Sequence, residues 1–177
     1  MATTAAPYGA RPVGTLSASG SFTSKTRNLP IITTYNTQIS NGDFVTLAAD
    51  GTITKNAGTT SLGCVGIFLG CSYTDPTTSQ KTFSNWWPAS NAATDAMAYV
   101  LDDPFVVFQM QSDASLETTD RGLNAAVVVT AGDTTFGKSR NALDGSTPDV
   151  TATLPLRIID FVDGPSSLPP KGTTASD

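Results

Sequence analysis

The chain has 177 residues, a length that suits one domain burying roughly two-thirds of its unfolded surface. It is 39% apolar but only 14% charged, with Thr, Ser, Ala and Gly filling the difference, and ten basic residues stand against fifteen acidic ones for a net charge of −5. With no histidine at all, Ser-His and Cys-His nucleophile pairs and His-based metal ligation are excluded, as is the side chain that most often moves protons near neutral pH.

The charge is uneven: residues 1–100 hold five basic and four acidic groups, residues 101–177 five and eleven. No Lys/Arg cluster of the kind that displaces counterions is present, so nucleic acid is not an expected partner. A membrane is not expected either, because no apolar run approaches eighteen residues and the opening MATTAAPYGARPVG lacks a basic segment followed by an apolar one.

Residues 1–12 are small, Pro-interrupted and charged only at Arg11, so they read either as a frayed terminus or as an extended N-terminal arm that orders against a partner surface; Pro7, Tyr8, Arg11 and Pro12 are the arm's candidate contacts. Residues 13–164 form the predicted body. Thr15–Phe22 and Pro30–Ile39 read as strands paired around the basic turn Lys25–Asn28. In NGDFVTLAADGTITK the Asp50-Gly51 pair between alternating residues predicts a hairpin of Phe44–Ala48 with Thr52–Lys55. The run LGCVGIFLGC predicts a strand over Leu62–Cys71, apolar on both sides and therefore central, with its glycines allowing close backbone approach.

TFSNWWP, residues 82–88, predicts an aromatic strand in which adjacent Trp86 and Trp87 point opposite ways, one into the core and the other to a partner, a neighbouring subunit or solvent. Asn91–Asp95 suits a short helical turn. AMAYVLDDPFVVFQMQ, residues 96–111, is the densest apolar stretch and alternates with period two on both sides of Asp102-Asp103-Pro104, which predicts a central hairpin or one strand broken by a bulge. Ala125–Thr130 and Thr153–Val162 are the last predicted strands, with Pro155 placing the latter at an edge, and residues 165–177 form a Pro-rich tail. The sum is an all-β, single-domain β-sandwich or barrel.

Chemistry-bearing motifs are sparse. Asp102 and Asp103 stand side by side before a proline, where Asp favours turns. GSFTSK and TFGKSR contain Gly, Lys and Ser without the spacing that cradles phosphate. Cys64 and Cys71 lie about 23 Å apart in an extended strand and read as buried free thiols. No cofactor and no enzymatic activity are expected.

GCSYTDPTT, FSNWWPAS, AMAYVLDDPFVVFQMQ, LNAAVVV and SRNALDGSTPDVTATLPLRIIDFVDGP together resemble small virion proteins of tailed bacteriophages, particularly the head decoration, or cement, proteins of marine and cyanobacterial podoviruses. The likeness spans roughly residues 40–163. It implies a β-barrel or sandwich subunit, often a homotrimer, made in the host cytoplasm and docked on the outer capsid surface, where its partner is the major capsid protein. The candidate interface is then the arm contacts together with Trp86 and Trp87. An adhesion module binding a glycan through Trp86 or Trp87 is the alternative, and a carboxylate-based hydrolase a third reading that lacks a visible acid pair.

Overall fold

A computed structural model describes residues 6–16 and 25–162. Its strands are β1 (Arg11–Thr15), β2 (Thr26–Pro30), β3 (Phe44–Leu47), β4 (Ile53–Lys55), β5 (Gly66–Thr74), β6 (Lys81–Ser84), β7 (Met97–Leu101), β8 (Val106–Gln109), β9 (Asn124–Ala125), β10 (Val127–Val128), β11 (Ala142–Leu143) and β12 (Leu156–Arg157). Apart from one 3₁₀ turn at Thr118–Asp120, the described residues hold no helix, and the fold is all-β.

The main sheet runs β2-β7-β5-β3-β4, with β6 also paired to β5, and every ladder in it is antiparallel. β5 is central because its residues are apolar in both phases of the alternation, so both faces need covering. Neighbouring residues accordingly go to different cores. Val45, Phe68 and Val100 join Ile31, Ile39, Ile53, Cys71, Tyr73, Trp87 and Ala98 on one face. Phe44, Ile67 and Leu101 join Ala10 and Val127 on the other, beneath Val106 and Phe108 of β8. A third cluster, Leu116, Ala125, Ile158 and Phe161, packs the C-terminal segments.

Ile31, directly after β2, makes a parallel bridge to Ile53 at the start of β4. The outer strands of the sheet therefore touch at one point around the first core, without the continuous ladder that would close a barrel. Small two-stranded ladders complete the architecture: β1 with β8, β10 with β11, and β12 with β9.

The Asp-Gly hairpin forms as expected, with Val45 opposite Lys55 and Leu47 opposite Ile53. The apolar stretch 96–111 does not form a hairpin. β7 lies between β2 and β5, while β8 leaves the sheet to pair with β1. Pro104 has no amide to donate, and the chain there crosses from one layer to the next instead of turning back on itself. The strand predicted over Thr153–Val162 shrinks to Leu156–Arg157, and Ala125–Thr130 is split into two short strands. Asn91–Asp95 is irregular, with Asn91 Oδ1 accepting the Ala93 amide at 3.0 Å in place of a helical turn. The pairing expected around Lys25–Asn28 is replaced by a ladder of Thr26–Pro30 with β7; residues 17–22 of the first strand expected there, and the 165–177 tail, lie outside the described residues.

The boundary expected at residue 12 also shifts. Gly9 and Ala10 are buried, the Gly9 amide donates to Asn141 O at 3.1 Å and the Ala10 amide to Gly42 O at 3.0 Å. Arg11 and Pro12 already belong to β1, opposite Gln109 and Phe108. Small residues allow this stretch to lie flat on the body, so residues 9–12 are part of the fold and not of an arm.

Candidate functional site

Trp86 and Gly9, which lies between the nominated Tyr8 and Arg11, both meet one segment, residues 137–141. It is held to the sheet by the Asn41 amide donating to Gly137 O at 3.0 Å and the Ser139 amide donating to Asn41 O at 2.9 Å. Trp86 packs on its first residue. Gly137 has φ +65°, and a Cβ there would fall on Cβ, Cγ and Cδ1 of Trp86, so only glycine accommodates both the turn and the ring. Two residues on, Ser139 faces Gly9, whose φ is +78° and whose added Cβ would lie 2.5 Å from that of Ser139. Pro7 and Tyr8 are half-buried before it, Arg11 is exposed and Pro12 half-buried after it.

The tryptophans part as the alternation requires. Trp87 has no exposed surface, stacks edge-on against Tyr73 with ring centres 5.5 Å apart, and donates its indole N–H to Tyr35 O at 3.1 Å. It is a core residue, and its nomination as a contact residue is corrected on that ground; a glycan would have only half-buried Trp86 to stack on.

Two phenylalanines on the stretches that meet near Trp86 are left open to solvent. Phe83 on β6 is 73% exposed and Phe136 is 65% exposed, while Asn85 Nδ2 donates to Phe136 O at 3.1 Å and ties the two stretches together. A second exposed pair, Leu16 and Phe105, sits beyond the end of the β1–β8 ladder, where the Leu16 amide donates to Phe105 O at 2.8 Å. Sequence reasoning singles out none of these four side chains. Phe136 is flanked only by Thr, Gly and Lys in a polar loop, and its exposure depends on which way that loop folds.

Beneath the 137–141 segment lies a buried ionic cluster. Asp43 is wholly inaccessible, and its carboxylate accepts four hydrogen bonds: from Ser139 Oγ at 2.5 Å and Asn141 Nδ2 at 3.1 Å on Oδ1, and from the Ser40 amide at 2.8 Å and Lys55 Nζ at 3.0 Å on Oδ2. Lys55 Nζ also donates to Thr130 O at 3.3 Å, and the Thr130 amide donates to Asn141 Oδ1 at 3.0 Å. Paired and fully hydrogen-bonded, the charges meet the condition for residing in a core. An open cleft of about 490 Å³ lies alongside, lined by Tyr35, Gln38, Lys55, Asn56 and Thr130; its one cation is already held by Asp43.

Asp102, Asp103 and Asp95 are engaged in local structure. Asp102 pairs with Arg27, and Asp103 Oδ1 accepts the Phe105 amide at 2.9 Å, which fixes the turn after Pro104. Asp95 accepts the Thr74 amide at 2.8 Å, Thr74 Oγ1 at 2.7 Å and Lys81 Nζ at 2.9 Å, and these donors, the Thr74 amide foremost, hold its carboxyl well below the usual carboxylate range. Cys71 is buried, and desolvation pushes its thiol up to about 12. Cys64 is exposed, against the expectation of two buried thiols, because residues 61–65 run outside the strand that begins at Gly66. Among the described residues no three Cys, Asp or Glu side chains converge as a metal site would require. No family model matches the sequence, and no match was found among curated proteins or solved structures.

Proposed function

We propose that this chain is a structural virion protein, a decoration or cement subunit that binds the major capsid protein on the outer surface of a mature phage head. The observation that carries the reading is two groups of exposed apolar side chains, Phe83 and Phe136 on stretches joined through Asn85, and Leu16 with Phe105, on an all-β body poor in charge. Exposed apolar side chains are what protein interfaces bury, and aromatic ones dominate their energetics. The sequence likeness to decoration proteins supports the same reading.

Two such groups allow one surface to meet the capsid and the other a second copy, in a homotrimer. A subunit that touches several capsomers only in the mature lattice stabilises that lattice by linkage, with effective concentration strengthening each modest contact. Packaged DNA pressure is then resisted without any chemical step, and the subunit acts as no enzyme.

The test is to add the purified chain to mature and precursor heads depleted of decoration protein, beside the double variant F83S/F136S. Saturable binding to mature heads only, lost in the variant while its circular dichroism is unchanged, is the expected result. Binding to neither head, with retention on a glycan array through Trp86, would replace this reading by adhesion.

A further inference from the structure

We infer that Lys55 and Asn141 are poised to form an intramolecular isopeptide bond, with Asp43 as the catalytic residue that carries the protons. The amine and the side-chain amide contact the two oxygens of one buried carboxylate, Lys55 Nζ at 3.0 Å from Oδ2 and Asn141 Nδ2 at 3.1 Å from Oδ1. They are also joined through a second residue, since Thr130 O accepts from Lys55 Nζ and the Thr130 amide donates to Asn141 Oδ1. Nucleophile, electrophile and base therefore share the same two supports, which lowers the orientational cost of bringing them together.

Each contact suits a role in amide exchange. The Thr130 N–H lies on the amide oxygen, where negative charge develops when an amine adds to the carbonyl carbon. Asp43 lies on both the attacking and the leaving nitrogen, the position a proton carrier must occupy. Asn141 is held by its other polar atoms as well: its amide donates to Ser139 Oγ at 3.2 Å and its carbonyl accepts from Gly9 at 3.1 Å. Asp43 and Asn141 are fully buried, so the carboxylate and the amide are shielded from bulk water, while the Lys55 side chain is 10% exposed at the edge of the cleft.

The step balances without any co-reactant. Asp43 takes a proton from the Lys55 ammonium, and the free amine adds to Asn141 Cγ. A second proton leaves Nζ, the Cγ–Nδ2 bond breaks, and the departing nitrogen collects both protons and leaves as ammonium. Asp43 ends in its starting state. The new Nζ–Cγ bond ties β4 to the segment that seats both Trp86 and Gly9, and this inference is independent of the capsid reading.

Mass spectrometry of the full chain decides it. The expected intact mass is lower than the sequence mass by one ammonia, and trypsin should yield peptide 28–81, uncleaved after Lys55, bridged to peptide 141–157. Lys55→Arg keeps the ion pair but cannot condense, so it should fold, carry the full mass and release the two peptides separately. Asn141→Asp should give the same bridged peptide with loss of water. A chain of full mass that trypsin cleaves after Lys55 overturns the inference and leaves a structural ion pair. A deficit that persists in Lys55→Arg also overturns it, because it would then arise from succinimide formation at a sequence such as Asn41-Gly42.

Discussion

Replacing Trp87 with alanine removes an indole that has no exposed surface, sits edge-on to Tyr73 and donates to Tyr35 O. Truncating a buried Trp costs about 3–5 kcal/mol, lost neighbours included. The Tyr35 carbonyl left without its donor adds about 1–3 kcal/mol if water does not reach it. The expected loss is therefore about 4–8 kcal/mol, a large share of the roughly 5–15 kcal/mol that holds a domain folded, and about 10–30 °C in Tm for a chain of this size. Trp87→Phe keeps a ring but not the donor and should lose about 2 kcal/mol. Trp86→Ala uncovers only a half-buried ring over Gly137 and should lose about 1 kcal/mol. Urea denaturation of the three variants, with calorimetry on the same samples, measures the order. Equal losses for Trp86→Ala and Trp87→Ala, or a loss below about 1 kcal/mol for the latter, would refute the division of the pair into core and surface.

Deleting residues 2–12 should lower stability by about 2–4 kcal/mol, because it removes buried Ala10, its bond to Gly42 and the start of β1; calorimetry of the truncated chain measures it. Gly9→Ala forces a Cβ toward Ser139 at a φ of +78° and should cost about 2–3 kcal/mol, read by urea midpoint. In the native state a maleimide should label Cys64 and spare Cys71, with the second thiol reacting only after denaturant is added; peptide mapping shows which. Hydrogen bonds from the Thr74 amide lower Asp95, those from the Thr52 hydroxyl lower Asp50, and those from the Thr135 amide lower Asp133. A carboxyl lowered on folding contributes stability that is present above its unfolded value and lost as protons bind. Stability should thus hold between about pH 5 and 8 and fall below about pH 4, and Asp95→Asn should flatten that fall in a pH series of thermal melts.

Much of the fold follows from local rules that the chain states in its own order. Alternation and the Asp50-Gly51 turn dictate the β3–β4 hairpin, because a side-chain period of two and a three-residue loop closed by Gly51 at φ +80° leave little other choice. The two-sided apolar run at β5 requires a central strand, and adjacency alone sends Trp86 and Trp87 to opposite sides. Which strands pair is another matter. Nothing local distinguishes a turn at Asp103-Pro104 that closes a hairpin from one that carries the chain between layers; β7 pairs with β2 and β5 because they bury its two edges together. Residues 9–12 look like a loose arm until residues 42 and 141, distant in sequence, present the carbonyls that hold them. The gathering of Asp43, Lys55 and Asn141 is likewise a tertiary event, since their spacing in the chain matches no motif and only the packing of three separate segments places an amine and an amide on one carboxylate. Backbone propensity acts over a few residues, while a buried charge must find its partners wherever the folded chain brings them.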